Sequence, residues 1–199
     1  RVSGDTSCSH IGTGTSDDCT TYFDAGATAQ ITATADNTSW KFSAFTGCVV
    51  GGTPTVCTVV MDDVQSVTAT FTKIYALTTS VTGEGSIAIA AAADSTGGLV
   101  SGDASCSNTG TGTSDDCTTY FDAGATAQIT ATADNTSWKF NAFTGCVVGG
   151  TPTVCTVVMD DVQSVTATFT KIYALTDRKS TRLNSSHLSE FVCRLLLEK

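Results

Sequence analysis

The chain has 199 residues, 41% of them hydrophobic, and carries nineteen acidic against ten basic side chains, a formal net charge of −9. A surface this acidic repels phosphates and so opposes binding to nucleic acid or anionic membrane, and neither is expected as a partner. With two histidines in the whole chain, there is little material for metal ligation or for a general base.

The dominant feature is an internal repeat. Residues 1–78 recur as residues 99–176 at a fixed offset of 98, and only the pairs Arg1/Leu99, Thr6/Ala104, His10/Asn108, Ile11/Thr109 and Ser43/Asn141 differ. Such near-identity reports recent duplication and does not mark which residues matter. A repeat of this length has the size of one small domain, well above the periods of helical and solenoid arrays, so beads on a string are expected.

In chain order, residues 1–73 read as a copy lacking its first hairpin, residues 74–171 as one complete unit, and residues 172–176 as the opening of a third. Residues 74–81 and 86–91 are predicted strands flanking Gly83, Glu84 and Gly85, a tight turn between them. Residues 88–93 are alanine-rich, but Ile87 and Ile89 on a period of two favour strand over helix. In residues 126–133, Ala127, Ile129, Ala131 and Ala133 share one face and Thr126, Gln128, Thr130 and Thr132 the other, the pattern of a half-buried strand. Asp134, Asn135, Thr136 and Ser137 supply turn chemistry. Trp138, Phe140 and Ala142 then alternate with Lys139 and Asn141, so the two runs are predicted to form a hairpin. Residues 154–159 form another apolar run, Asp160 and Asp161 mark a second hairpin turn, and Val165, Ala167 and Phe169 alternate inward. The expectation is an all-β fold: tandem small antiparallel domains of six to seven short strands each, sandwich or β-grasp-like.

After Thr176 the repeat breaks off. Where Thr79, Ser80 and Val81 would recur, the chain continues Asp177, Arg178, Lys179, Ser180, Thr181, Arg182, Leu183, Asn184, Ser185, Ser186 and His187. This string resembles the translation of a sequencing adapter, as do residues 192–199, and residues 177–199 are set aside as an artefactual tail. The tail holds five of the ten basic residues and three of the nineteen acidic ones. What remains is sixteen acidic against five basic, a net charge of −11.

Removing Cys193 with the tail leaves eight cysteines: Cys8, Cys19, Cys48 and Cys57, then Cys106, Cys117, Cys146 and Cys155. Their spacings lack the short C-x-x-C knuckles of zinc sites, and neither His10, which is Asn108 in the other copy, nor His187 in the tail supplies a repeated ligand. Disulfides are expected, with Cys8–Cys19 and Cys48–Cys57 the most local of three connectivities open to each copy. Each small closed loop contributes roughly 3 kcal/mol in the chain-entropy account, and such bridges place the protein outside a reducing cytosol.

Other candidate sites reduce to simpler structural roles. The pairs Asp17–Asp18, Asp115–Asp116, Asp62–Asp63 and Asp160–Asp161 carry oxygen ligands suited to Ca²⁺, but they lack the spacing of a dedicated loop and read as solvated turn carboxylates. Trp40 and Trp138 resemble sugar-stacking platforms, yet they alternate in phase with Phe42 and Phe140 and read as core. Gly12-Thr-Gly14 and Gly110-Thr-Gly112 lack the rest of a phosphate-binding fingerprint. The sequons at Asn37 and Asn135 read as turns. No nucleophile–base pair, cofactor motif or metal constellation recurs, so no enzyme activity is expected.

Several motifs in order resemble the divergent InlB B-repeat family of bacterial surface proteins. They are Tyr75-Ala-Leu77, Gly83-x-Gly85, Gly124-Ala-Thr-Ala-Gln-Ile129, Phe140-x-x-Phe143-x-Gly145-Cys146, Cys155 to Asp160, and Val165-Thr-Ala-Thr-Phe169. The family usually has Trp at the positions of Phe45 and Phe143. The resemblance implies a compact β-domain repeated in secreted or cell-surface proteins, and it carries no catalytic or binding residue. A non-catalytic structural spacer is therefore expected, with neighbouring repeat units as its partners and no cofactor. The alternative is an adhesin-like module that binds surface carbohydrate or protein by avidity.

Overall fold

The computed structural model describes residues 3–9, 19–35, 38–110, 114 and 116–175; Thr176 and the 177–199 tail lie outside the described residues. Every regular element among the described residues is a strand. The first copy contains β1 (Ser3–Gly4), β2 (Thr21–Tyr22), β3 (Thr28–Thr32), β4 (Trp40–Thr46), β5 (Val49–Val50) and β6 (Val56–Val60). Next comes β7 (Thr68–Thr82), a single strand of 15 residues that begins in the first copy and ends in the second. The second copy continues with β8 (Gly85–Ala91), β9 (Leu99–Gly102), β10 (Ser105–Asn108), β11 (Cys117–Asp122), β12 (Thr126–Ala133), β13 (Trp138–Thr144), β14 (Val147–Val148), β15 (Val154–Val158) and β16 (Gln163–Lys171).

In the second copy these strands form a sandwich. One sheet has the order β10-β8-β12-β15-β14 and the other the order β13-β16-β7-β11-β9. Alternation of polar and apolar residues gives β8, β11, β12, β16 and the second half of β7 one inward face. Leu77 and Val81 of β7, Phe121 of β11, and Val165, Ala167 and Phe169 of β16 meet Ile87 and Ile89 of β8, Ala127 and Ile129 of β12, and Cys155 of β15 in one continuous core. Phe121, Leu77, Ile87 and Ile129 are among its largest fully buried side chains, and each contributes about 1.5–3 kcal/mol by leaving water. Two buried hydroxyls are satisfied internally: Thr79 donates to the Cys117 carbonyl at 3.4 Å, and Thr119 donates to the Asp103 carbonyl.

Three sequence expectations need correction. The runs expected to pair as hairpins do not pair. Strand β7 pairs with β11 and β16, whereas β8 pairs with β10 and β12. Likewise β12 pairs with β8 and β15 while β13 pairs with β16, and β15 lies in the opposite sheet from β16. Each turn therefore carries the chain from one sheet to the other, because apolar faces of successive strands bury best by facing each other across the core. Secondly, the fold is not purely antiparallel, since β16 runs parallel to β7. Thirdly, Ala142 does not share the face of Trp138 and Phe140. A register shift between Phe140 and Ala142 turns Ala142 outward opposite Thr168 and brings Phe143 onto the core side.

The strands are also more numerous than the alternation suggested. The Gly-, Ser- and Asp-rich stretch before Cys117 supplies β9 and β10 as additional partners for β11 and β8.

Glycine is required at the arch joining β7 and β8. Gly83 adopts φ 81°, and a Cβ there would collide with the Phe169 carbonyl and lie 2.8 Å from Trp138 Cζ3. At Gly85 a Cβ would come within 2.5 Å of the Phe169 ring.

The eight cysteines form four disulfides: Cys8–Cys19, Cys48–Cys57, Cys106–Cys117 and Cys146–Cys155. Cys106 lies on β10 and Cys117 on β11, so that bridge ties the two sheets together through the core. Cys155 is fully buried on β15, and its partner Cys146 sits in the short turn before β14.

Candidate functional site

An ion pair and several hydrogen bonds gather at the seam between the two copies. There is no linker there. Through residues 68–73, β7 pairs with β4 of the first copy; from residue 74 onward it pairs with β11 of the second. The arrangement replaces the expected beads on a string with a strand held in common.

The crossing is fixed on both sides. The Ile74 N–H donates to the Ser39 carbonyl at 2.8 Å, and the Ala123 N–H donates to the Lys73 carbonyl at 3.0 Å. Lys41 Nζ of β4 makes an ion pair of 2.6 Å with Asp122 Oδ1 at the end of β11. The other carboxylate oxygen accepts the Gly98 N–H at 3.1 Å. Burial pushes the Asp122 carboxyl up, but hydrogen bonds from Lys41 and Gly98 together with the Lys41 charge outweigh it and hold the carboxyl below its ordinary value. The loop presenting Gly98 is tied down by Ser95, whose Oγ accepts the Thr126 N–H at 2.9 Å and donates to the Gly97 carbonyl at 2.6 Å. Lys73 Nζ sits 4.8 Å from the centre of the Tyr75 ring, a cation–π contact.

Lys41, Thr72, Lys73, Gly97, Asp122 and Ala123 line an open groove of about 460 Å³ between the copies. Its lysines are notable in so acidic a chain. The only lysines in residues 1–176 are Lys41, Lys73 and their repeat equivalents Lys139 and Lys171, so this positive charge is confined to one end of each copy. Beside it, the hydroxyl oxygens of Thr72 and Thr170 are buried without a hydrogen-bond partner.

A second recurring surface is apolar. Val49 and Val147 are each 73% exposed, and Val50, Val60, Val148 and Val158 are exposed with them. In the first copy this patch borders a shallow groove beside Cys48 and Asp62.

The sequence-derived candidates fall away from both surfaces. Asp62 and Asp63 act locally: Asp62 Oδ1 accepts from Gln65 Nε2 at 2.9 Å, and Asp63 Oδ1 accepts the Val64 N–H at 2.7 Å. Asp160 and Asp161 repeat these contacts with Gln163 and Val162. Asp116 is exposed, whereas Asp17, Asp18 and Asp115 lie outside the described residues, as do His10, Gly12, Gly14, Asn37, Gly112 and His187. Among the described residues, no group of three or more His, Cys, Asp or Glu gathers as a metal site. Asn135 is engaged in its turn, accepting the Ser137 N–H at 2.8 Å and donating to Glu84 at 3.0 Å. Trp138 is half-buried against the core, over the Gly83 arch, with Phe140 and Phe143 beside it. The Phe140 and Phe143 ring centroids lie 4.7 Å apart with the ring planes tilted by 52°. A ring half-buried against the core matches the expectation of a core residue better than that of a sugar platform. Trp40 is half-buried at the equivalent position.

What sequence reasoning missed was the seam. The signal was present in the placement of the lysines, four residues in two equivalent pairs, and it went unused because their partner Asp122 is 81 positions away from Lys41 in the chain.

Comparison with known proteins identifies the repeat. The family described as Divergent InlB B-repeat domain matches residues 5–75 and 102–173. Searches of curated proteins and of solved structures gave no match.

Proposed function

The chain belongs to the divergent InlB B-repeat family, and from that premise we propose that it is a non-catalytic spacer of a secreted or cell-surface bacterial protein, in which tandem copies project or separate other parts. The observation that carries this is β7, which passes from one copy into the next without a break. A strand paired on both sides of the boundary transmits orientation from copy to copy, whereas a Gly/Ser linker would lose it. The four disulfides support an oxidising compartment. The acidic surface supports solubility and self-repulsion of crowded arrays.

An adhesin-like role is favoured by one observation only, the exposed valine patch that recurs once per copy. Weak contacts repeated along an array gain strength by avidity. The test is binding of the whole chain, immobilised at high density, to a glycan array and to host matrix proteins. A spacer gives no saturable signal. Saturable binding that disappears in Val147→Ser/Val148→Ser overturns the spacer assignment in favour of the adhesin.

A further inference from the structure

The chain enters the second copy on one strand and leaves it on another, and those two strands are direct neighbours. Residues 74–82 of β7 and the first residues of β16 run parallel, with Leu77 opposite Gln163 and six successive pairs up to Thr82 opposite Thr168. Strands β8 to β15, which lie between them in sequence, all belong to the same sandwich.

This topology decides how tension along the chain is felt. A pull toward the N terminus draws β7 one way, and a pull toward the C terminus draws β16 the opposite way along the same axis. Because the strands are parallel, the six pairs are loaded side by side and must slip together, whereas an antiparallel hairpin pulled at its two open ends is loaded one pair at a time. Until the pairs slip, no tension reaches residues 83–162.

The surroundings of the pair oppose slipping. Leu77, Thr79, Val81, Val165 and Ala167 are fully buried, so the main-chain hydrogen bonds between the strands lie in a dry, low-dielectric setting that strengthens them. On the outer face the hydroxyls of Ser80 and Thr166 hydrogen-bond across the pair at 2.9 Å. The other edge of β7 is paired with β11, which the Cys106–Cys117 disulfide ties to β10 in the opposite sheet. The Val81 N–H donates to Ser114 Oγ at 2.7 Å. Repetition places the load in line: residues 68–73 hold in the first copy the place of residues 166–171 in the second, and they continue without a break as the entry strand. No loop stretches at the crossing.

We propose that the parallel pairing of β7 with β16 is a mechanical clamp, which lets the copy carry tension along the chain without unfolding. The clamp rests on the spacer role assigned above and adds that the spacer keeps its length under load.

The test stretches single molecules of the whole chain in two geometries. An azide-bearing amino acid is placed at two exposed positions and coupled to DNA handles held in optical traps. Handles at Val64 and Tyr173, 95% and 84% exposed, load the clamp in shear. Handles at Val64 and Val162, 95% and 64% exposed, pull on the opposite end of β16, so the same pairs are loaded one at a time from Gln163. Forced unfolding reads the unfolding rate along the pulled direction and not the equilibrium stability. The shear geometry is expected to rupture at a severalfold higher force, in one step that releases the copy less its two disulfide loops, of separations 11 and 9. Equal rupture forces in the two geometries, or a shear trace that lengthens gradually at low force, would overturn the clamp. Either result leaves the spacer role intact, whereas saturable glycan binding would remove the spacer role without changing the rupture forces.

Discussion

Lys41 of the first copy and Asp122 of the second meet at 2.6 Å, the only described side-chain ion pair, and it spans the boundary between the copies. Because the folded Asp122 carboxyl lies below its ordinary value, the pair contributes stability that is fully present above about pH 4 and is lost as pH falls through the lowered value. Both side chains are partly exposed, which limits the contribution to about 1 kcal/mol or less. Asp122→Asn is expected to lower stability slightly at pH 7, with the gap to the parent protein closing below pH 4 and in high salt. Chemical denaturation at pH 7 and pH 3 checks this; a gap that stays constant with pH would contradict it.

The Cys106–Cys117 bridge joins the two sheets across the core. Replacing both cysteines with alanine removes the loop constraint and also the packing of a fully enclosed Cys106 side chain, so a loss of about 3–5 kcal/mol is expected. The Cys146–Cys155 bridge closes a shorter loop at the sheet edge, and its loss should cost less. Urea unfolding of the two double variants gives the ranking directly.

Gly83→Ala combines a strained positive φ with a collision against the Phe169 carbonyl and the Trp138 ring. A loss of about 2–3 kcal/mol is expected, with altered Trp fluorescence. Gly98→Ala, with open space around its Cβ position, is the control and should be close to neutral.

Thr72 and Thr170 each hold a buried hydroxyl oxygen with no partner. Valine has nearly the same shape and no polar atom to strand. Thr170→Val is therefore expected to raise stability by about 1 kcal/mol, read as a higher melting temperature by calorimetry.

Much of the fold was legible because strand burial follows a period of two. The alternation of Ala127, Ile129 and Ala131 correctly marked the inner face of β12, and Val165, Ala167 and Phe169 marked that of β16. Which strands pair was not legible, since alternation says which face is inward and not which sheet a strand joins. The turns at Gly83–Gly85 and at Asp160–Asp161 look the same whether the chain folds back beside itself or arches over the core. The extra residue at Asn141 inverted the facing of Ala142 and Phe143, and a single bulge leaves no mark in a short polar–apolar pattern. The seam was hidden for a different reason: residues 68–82 read as two strands of two units, and only the structure shows them as one.

The proposed spacer role depends on that shared strand, and backbone ¹⁵N relaxation with amide hydrogen exchange on the whole chain tests it most directly. Both copies should report one common rotational correlation time, and the β7 amides that pair across the sheets should be protected without a gap on either side of Lys73 and Ile74. Two separate correlation times, with fast exchange at residues 73–75, would contradict it.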